Sequence, residues 1–126
     1  VQQGNSAWPI GYICTQQVGG VTVIEFHGEI DIAAAQQILP DLEVATAAPG
    51  QTVVIDLTPT EFFDAYGLRL LCRAERRVRE RGGWLLLVCP HQMILRVLHA
   101  GRLIGRFTPL ATREEALTLA DSEAAG

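Results

Sequence analysis

The chain has 126 residues, 48% of them hydrophobic, and its 14 acidic and 10 basic residues leave a formal net charge of -4. That length suits one domain with a sizeable core, and that apolar content excludes an unstructured tail. The acidic balance excludes a general nucleic-acid binder, which needs a basic face to displace counterions from phosphates.

All ten basic residues are Arg, so lysine-based catalysis has no residue to use. No apolar run reaches the ~18 residues that read as a bilayer span. No basic region followed by an apolar core marks a signal peptide. A cytoplasmic protein is expected. Cys14, Cys72 and Cys89 form an odd set without CxxC spacing. Reduced thiols fit that set better than a disulfide framework or a zinc site.

Residues 1–9 are polar and aperiodic and read as an N-terminal leader. Ile10 to Gln17 reads as a short strand, and Gly19-Gly20 is a two-residue hairpin turn. Val21 to Gly28 follows as a strand, with Val21, Val23 and Glu25 on one side and Ile24 and Phe26 on the other. Asp31 is placed to cap a helix over Ile32 to Leu39. Pro40 is expected to kink or restart that helix before Leu42, Val44 and Ala45, and Ala48-Pro49-Gly50 ends it.

Val53 to Leu57 is a β-branched run fit for the middle of a sheet. A short loop leads to the tetrapeptide Asp64-Ala65-Tyr66-Gly67. Leu68 to Arg81 reads as an amphipathic helix, with Leu70 or Leu71, Ala74 and Val78 inward and Arg73, Arg76, Arg77 and Glu80 in water. Gly82-Gly83 stops it. Trp84 to Cys89 is a second buried strand, with the Trp84 indole at its wet end. Pro90 opens a helix through Ile94, Val97 and Leu98 that ends at Gly101. Phe107 and Leu110 suit a last short strand. Thr112 and Glu115 form a capping box for a terminal helix. The expected order is β, β, α, β, α, β, α, β, α: an α/β sandwich on a mixed sheet.

Four patches carry a resemblance. They are Gly28-Glu29-Ile30-Asp31, the strand Val53 to Leu57, Phe63-Asp64-x-x-Gly67-Leu68, and Arg81-Gly82-Gly83-Trp84-Leu85 through Pro90, Val97-Leu98 and Gly101. Each is weak alone. In this order and spacing, from about Ile13 to Leu119, they resemble the STAS domain of bacterial anti-sigma factor antagonists of the SpoIIAA type. The resemblance implies a single STAS domain over 10–121, with a mixed sheet of about 4–5 strands and about 4 helices.

It also implies a non-enzymatic regulator of transcription, with no cofactor and no metal, that binds an anti-sigma factor of the serine-kinase type and releases a sigma factor by partner switching. Nucleic acid and membrane are not expected partners; a homodimer is compatible with the sequence. The partner-binding residues it implies are Asp31, Asp64, Ala65, Tyr66, Gly67, Leu68 and Cys72. A second reading of the same likeness is a ligand-binding or scaffold module in a signalling assembly, with Tyr66 lining or closing a pocket.

The departure from the family pattern is at Tyr66. Family members carry Asp-Ser-Ser-Gly or close to it, and the second Ser accepts a phosphate. Here that position is Tyr66, preceded by Ala65. A tyrosine hydroxyl lies ~6.5 Å from its Cα, against ~2.4 Å for serine, from standard bond lengths. One serine-kinase site cannot place both oxygens on the same γ-phosphate without moving the backbone. The serine switch is therefore expected to be absent, with Thr58 and Thr60 as weaker upstream hydroxyls.

Each residue also has a plainer role. Asp31 and Asp64 are both good helix N-caps. They lie on separate loops, so spacing alone does not pair them. Leu68 and Cys72, one turn apart, suit either a partner contact or the core. Cys72 could pair with Cys89 as a redox sensor only if geometry brought them together. The arginines from Arg69 to Arg81 read as a solvated face. His27, His91 and His99 lack metal-ligand spacing.

Overall fold

Five short runs of the sequence form one sheet. The computed structural model describes residues 10–125, so the leader expected over 1–9 lies outside the described residues. Strands β1 (Tyr12–Val18) and β2 (Val21–Ile30) form the antiparallel hairpin expected around Gly19-Gly20. β3 (Thr52–Asp56) pairs in parallel with β2, and β5 (Trp84–Val88) pairs in parallel with β3. β4 (Thr60–Phe63) lies off this path and pairs in parallel with the last residues of β2. The helices are α1 (Ile32–Ala45), α2 (Ala65–Glu80), α3 (Gln92–Ala100), α4 (Ile104–Phe107) and α5 (Arg113–Ala125). The result is the expected α/β fold with a mixed sheet, here of five strands and five helices.

The sheet is covered on both faces. One face sends Ile24, Phe26, Val53, Ile55, Leu57 and Leu87 into the main core, where Ile38 and Leu42 of α1, Leu70, Leu71, Ala74 and Val78 of α2, and Leu98 of α3 meet them. The other face sends Val21, Val23, Val54, Leu86 and Val88 against Ala116 and Ala120 of α5. Both Leu70 and Leu71 are buried, so α2 uses a wider apolar stripe than a strict heptad would.

Several expectations change. Thr60–Phe63 is a strand where the sequence suggested a loop. It is four residues long, and only a neighbouring strand reveals it, because its amides pair with β2. The last strand expected at Phe107 and Leu110 does not form. Phe107 ends α4, Thr108 takes a left-handed conformation, and Leu110 makes a single parallel bridge to Val88. Helix α2 starts at Ala65, so the tetrapeptide is its cap and first turn.

Pro40 does not restart α1, which runs continuously through it from Ile32 to Ala45. The proline is exposed and removes one backbone hydrogen bond. Ala34, Ile38 and Leu42 on the opposite side hold both halves to the sheet. Arg77 is not simply in water: its guanidinium donates to Thr46 Oγ1 at 3.0 Å and to Glu43 O at 2.8 Å. It thereby occupies carbonyl and hydroxyl groups at the end of α1, which a helix terminus leaves without partners. The capping box at Thr112 forms as expected, with Glu115 N donating to Thr112 Oγ1 and Thr112 N donating to Glu115 Oε1, both at 3.1 Å.

Candidate functional site

The short strand β4 assembles the site. Its register with β2 sets Phe63 beside Ile30. The next residue on each chain segment is a carboxylate, Asp31 after Ile30 and Asp64 after Phe63. Parallel pairing thus brings together two aspartates that are 33 positions apart in sequence. Each then caps a helix. Asp31 Oδ1 accepts from Ala34 N at 3.0 Å, and Asp64 Oδ1 accepts from Tyr66 N at 2.9 Å. Two helix N-termini therefore lie side by side at the carboxyl end of the sheet, each with its anionic cap, as the helix dipole favours. The Oδ2 atoms of both aspartates have no hydrogen-bond partner among the described residues.

Two glycines let the backbone come this close. At Gly28 the β2 register shifts, its φ is +79°, and an added Cβ would sit 2.1 Å from Ile10 O. Only glycine accepts that combination, and the bulge re-aims the last residues of β2. Gly67 lies under the Phe63 ring, where a Cβ would come within 2.6 Å of Cε1. The first turn of α2 is thereby seated directly on β4.

The other proposed contact residues follow along α2. Ala65 is exposed and Tyr66 half-buried. Leu68 and Cys72 are half-buried and pack against the main core. Gly101, at the end of α3, approaches Leu68 so closely that a Cβ there would lie 3.2 Å from Leu68 Cδ1. Tyr66 does not stand out as an isolated side chain. With Ile32, Ala35 and Leu39 of α1 and Leu70 of α2 it lines a groove between the two helices. The Arg69 guanidinium lies 5.2 Å from the centre of its ring, in cation–π range.

The upstream hydroxyls are both committed. Thr58 Oγ1 donates to Asp56 Oδ1 at 2.6 Å, and the buried Thr60 Oγ1 donates to Phe26 O at 2.7 Å. Cys72 and Cys89 are both unbridged thiols. Burial pushes the Cys89 thiol above its ordinary pKa, and its Sγ faces His91 O at 3.7 Å. A thiol so placed is a poor nucleophile at neutral pH. Among the described residues no three His, Cys, Asp or Glu side chains converge as metal ligands would.

A second polar cluster lies on the α5 side of the sheet, and sequence reasoning did not find it. Arg113, in the first turn of α5, pairs with Glu25 of β2 and reaches Asp56 Oδ2 of β3 at 3.1 Å. Glu25 also bonds His27 Nε2 at 2.9 Å, and the His27 ring stacks on Tyr12 with centroids 4.8 Å apart. The His27 hydrogen bond holds the Glu25 carboxyl below its ordinary range; burial opposes this, and Arg113 reinforces it. The period-2 placement of Glu25 and His27 was the visible signal, but their partner lies 88 residues from Glu25.

The sequence matches the family described as the STAS domain over residues 12–116. An anti-sigma factor antagonist from Mycobacterium paratuberculosis is similar at 27% identity and a TM-score of 0.72, over 85% of this chain and 91% of that one. An anti-sigma-factor antagonist (STAS) domain protein from Planctomyces limnophilus is similar at 25% identity and a TM-score of 0.76, over 86% and 98%. The antagonist SpoIIAA of Bacillus, in its unphosphorylated form, shares the fold at 24% identity and a TM-score of 0.71, over 87% and 96%. No curated protein matches the sequence significantly.

Proposed function

The chain belongs to the STAS domain family, and from that premise we propose that it is an anti-sigma factor antagonist. It binds an anti-sigma factor of the serine-kinase type and so releases a sigma factor. The observation that carries this reading is the Ile30–Phe63 register, which sets Asp31 and Asp64 side by side at the caps of α1 and α2. Asp31 and the segment Asp64-Ala65-Tyr66-Gly67-Leu68 with Cys72 form the contact surface. The likeness to two antagonists, over 85% and 86% of this chain, supports the same reading. The domain occupies residues 10–121 and acts by binding, without catalysis, in the cytoplasm. Among the described residues no helix is long and apolar enough to cross a membrane.

Regulation differs from a serine switch. A phosphate on the first turn of α2 would bring close to two negative charges next to Asp31 and Asp64 and expel a partner by repulsion. At Tyr66 the only hydroxyl is ~4 Å farther from its Cα than a serine hydroxyl would be, from standard bond lengths. The antagonist is therefore insensitive to serine phosphorylation. The test is calorimetric titration against each anti-sigma kinase of the source organism, with and without Mg-ATP, followed by mass measurement. Tight binding that ATP leaves intact, with no added phosphate, is the expected result. A phosphate on any loop residue, or no binding to any of the kinases, overturns the reading.

A further inference from the structure

The groove between α1 and α2 ends at the proposed contact surface and is chemically unlike it. Its walls are Ile32, Ala35 and Leu39 on α1 and Tyr66 and Leu70 on α2, with Gln36, Arg69 and Arg73 on its rim. No carboxylate is among these residues. Ile32 is 47% exposed although it opens α1 directly after Asp31. An apolar groove wall left in water beside a proposed contact surface suits a partner's apolar side chain.

The size of the groove argues against a free small molecule. It encloses about 220 Å³, below the ~300–1,000 Å³ of ordinary ligand pockets. That space suits one aliphatic side chain. The charge at its rim selects that side chain's neighbours. Arg73 is already paired with Glu43. Arg69 has no ion pair among the described residues and spreads over the Tyr66 ring. On a chain of net charge -4, this leaves an uncompensated cation beside an apolar slot.

We propose that this groove seats one leucine- or methionine-sized side chain of the anti-sigma factor, with an adjacent partner carboxylate held by Arg69. The inference rests on the antagonist reading above and names the chemistry of its partner. Tyr66 then acts as a wall through its ring, and its hydroxyl is dispensable. A small residue at this position removes the wall.

The test uses the anti-sigma factor that binds the wild-type chain, titrated calorimetrically into single variants. Ile32→Asp places a charge in the slot, yet Asp at the first helical position is compatible with the α1 dipole, so folding is retained. It is expected to weaken binding about tenfold or more, ~1.4 kcal/mol. Tyr66→Ser is expected to lose a similar factor, whereas Tyr66→Phe binds as wild type. Arg69→Glu weakens binding, and the same reversal at exposed Arg76 does not. Thermal unfolding of each variant checks the fold. If Ile32→Asp and Tyr66→Ser bind as wild type while Asp64→Asn binds weakly, the partner sits on the caps alone and the groove is not its seat. If Tyr66→Phe fails as Tyr66→Ser does, the hydroxyl is the contact and the wall role is wrong. If wild type binds no anti-sigma factor, the antagonist reading and this inference fall together.

Discussion

Two carboxylate pairs lie toward the carboxyl ends of the strands, one on each side of the sheet, and they are used in opposite ways. On the α5 side, Glu25 and Asp56 share Arg113, and Asp56 also accepts from Thr58 N and Oγ1. On the α1/α2 side, Asp31 and Asp64 each use one oxygen to cap a helix and keep the other without a protein partner among the described residues. The first pair is closed by a cation of the same chain and joins α5 to β2 and β3. The second pair is next to exposed Ile32, which follows Asp31 and opens α1. Charges whose hydrogen bonds are completed internally hold a fold together. Charges with valence left over, next to uncovered apolar surface, are where a partner adds the missing half.

Opening the closed pair is expected to have the largest effect. Arg113→Ala strands Asp56, only 3% exposed, without its cation. Removing one partner of a buried pair costs roughly 3–5 kcal/mol. Arg113 still sees water, so the loss is expected near the lower end, about 3 kcal/mol in urea unfolding. Affinity for the anti-sigma factor should be unchanged, because α5 lies on the opposite face. A loss of affinity equal to that of an Asp64 variant would show that the two sides are not separate.

A smaller effect is expected at the seat of the open pair. Gly67→Ala gains about 1 kcal/mol in helix propensity but drives a methyl into the buried Phe63 ring. Overpacking of this kind costs roughly 1–3 kcal/mol. Net destabilisation and weaker partner binding are expected, with Phe63→Leu restoring both. If Gly67→Ala alone stabilises the protein, the seating of α2 on β4 does not depend on that close approach.

The pH dependence sharpens the contrast with the least perturbation. Glu25 titrates below its ordinary 4.5 in the folded chain, through its bond to His27, against burial and with help from Arg113. A folded-state pKa depressed in this way adds stability above the unfolded value and loses it as pH falls through the folded one. Urea midpoints should therefore drop as pH is lowered below about 4.5, and Glu25→Gln should show a shallower drop. Equal slopes for the two proteins would remove Glu25 from the account. Glu75 adds to the background: burial would raise its pKa, but hydrogen bonds from Arg106 and Arg79 outweigh it and lower it.

Much of the fold was legible because its signals are local. The hairpin turn, the N-caps Asp31 and Asp64, the Thr112–Glu115 capping box and the buried runs Val53 to Leu57 and Trp84 to Val88 each announce themselves within a few residues. The strand β4 did not, because Thr60-Glu61-Phe62-Phe63 is too short for a period to show and owes its conformation to β2. Phe107 does not take the strand its β propensity suggests, because it ends the short helix α4 and Thr108, in a left-handed conformation, turns the chain there.

The candidate site divides the same way. The tetrapeptide and its Tyr66 are plain in the sequence, as is the likeness of the whole chain to a STAS domain. From composition and periodicity come an α/β protein of net charge -4 whose basic residues are all Arg, and two buried strands. That Asp31 and Asp64 are neighbours, that Arg113 closes Glu25 and Asp56, and that Tyr66 walls a groove with Ile32 and Leu39 follow from strand register and helix packing. Capping, turns and strand periodicity act within a turn or two of chain. Strand register and helix packing join residues tens of positions apart, and no local pattern encodes which partner each will meet.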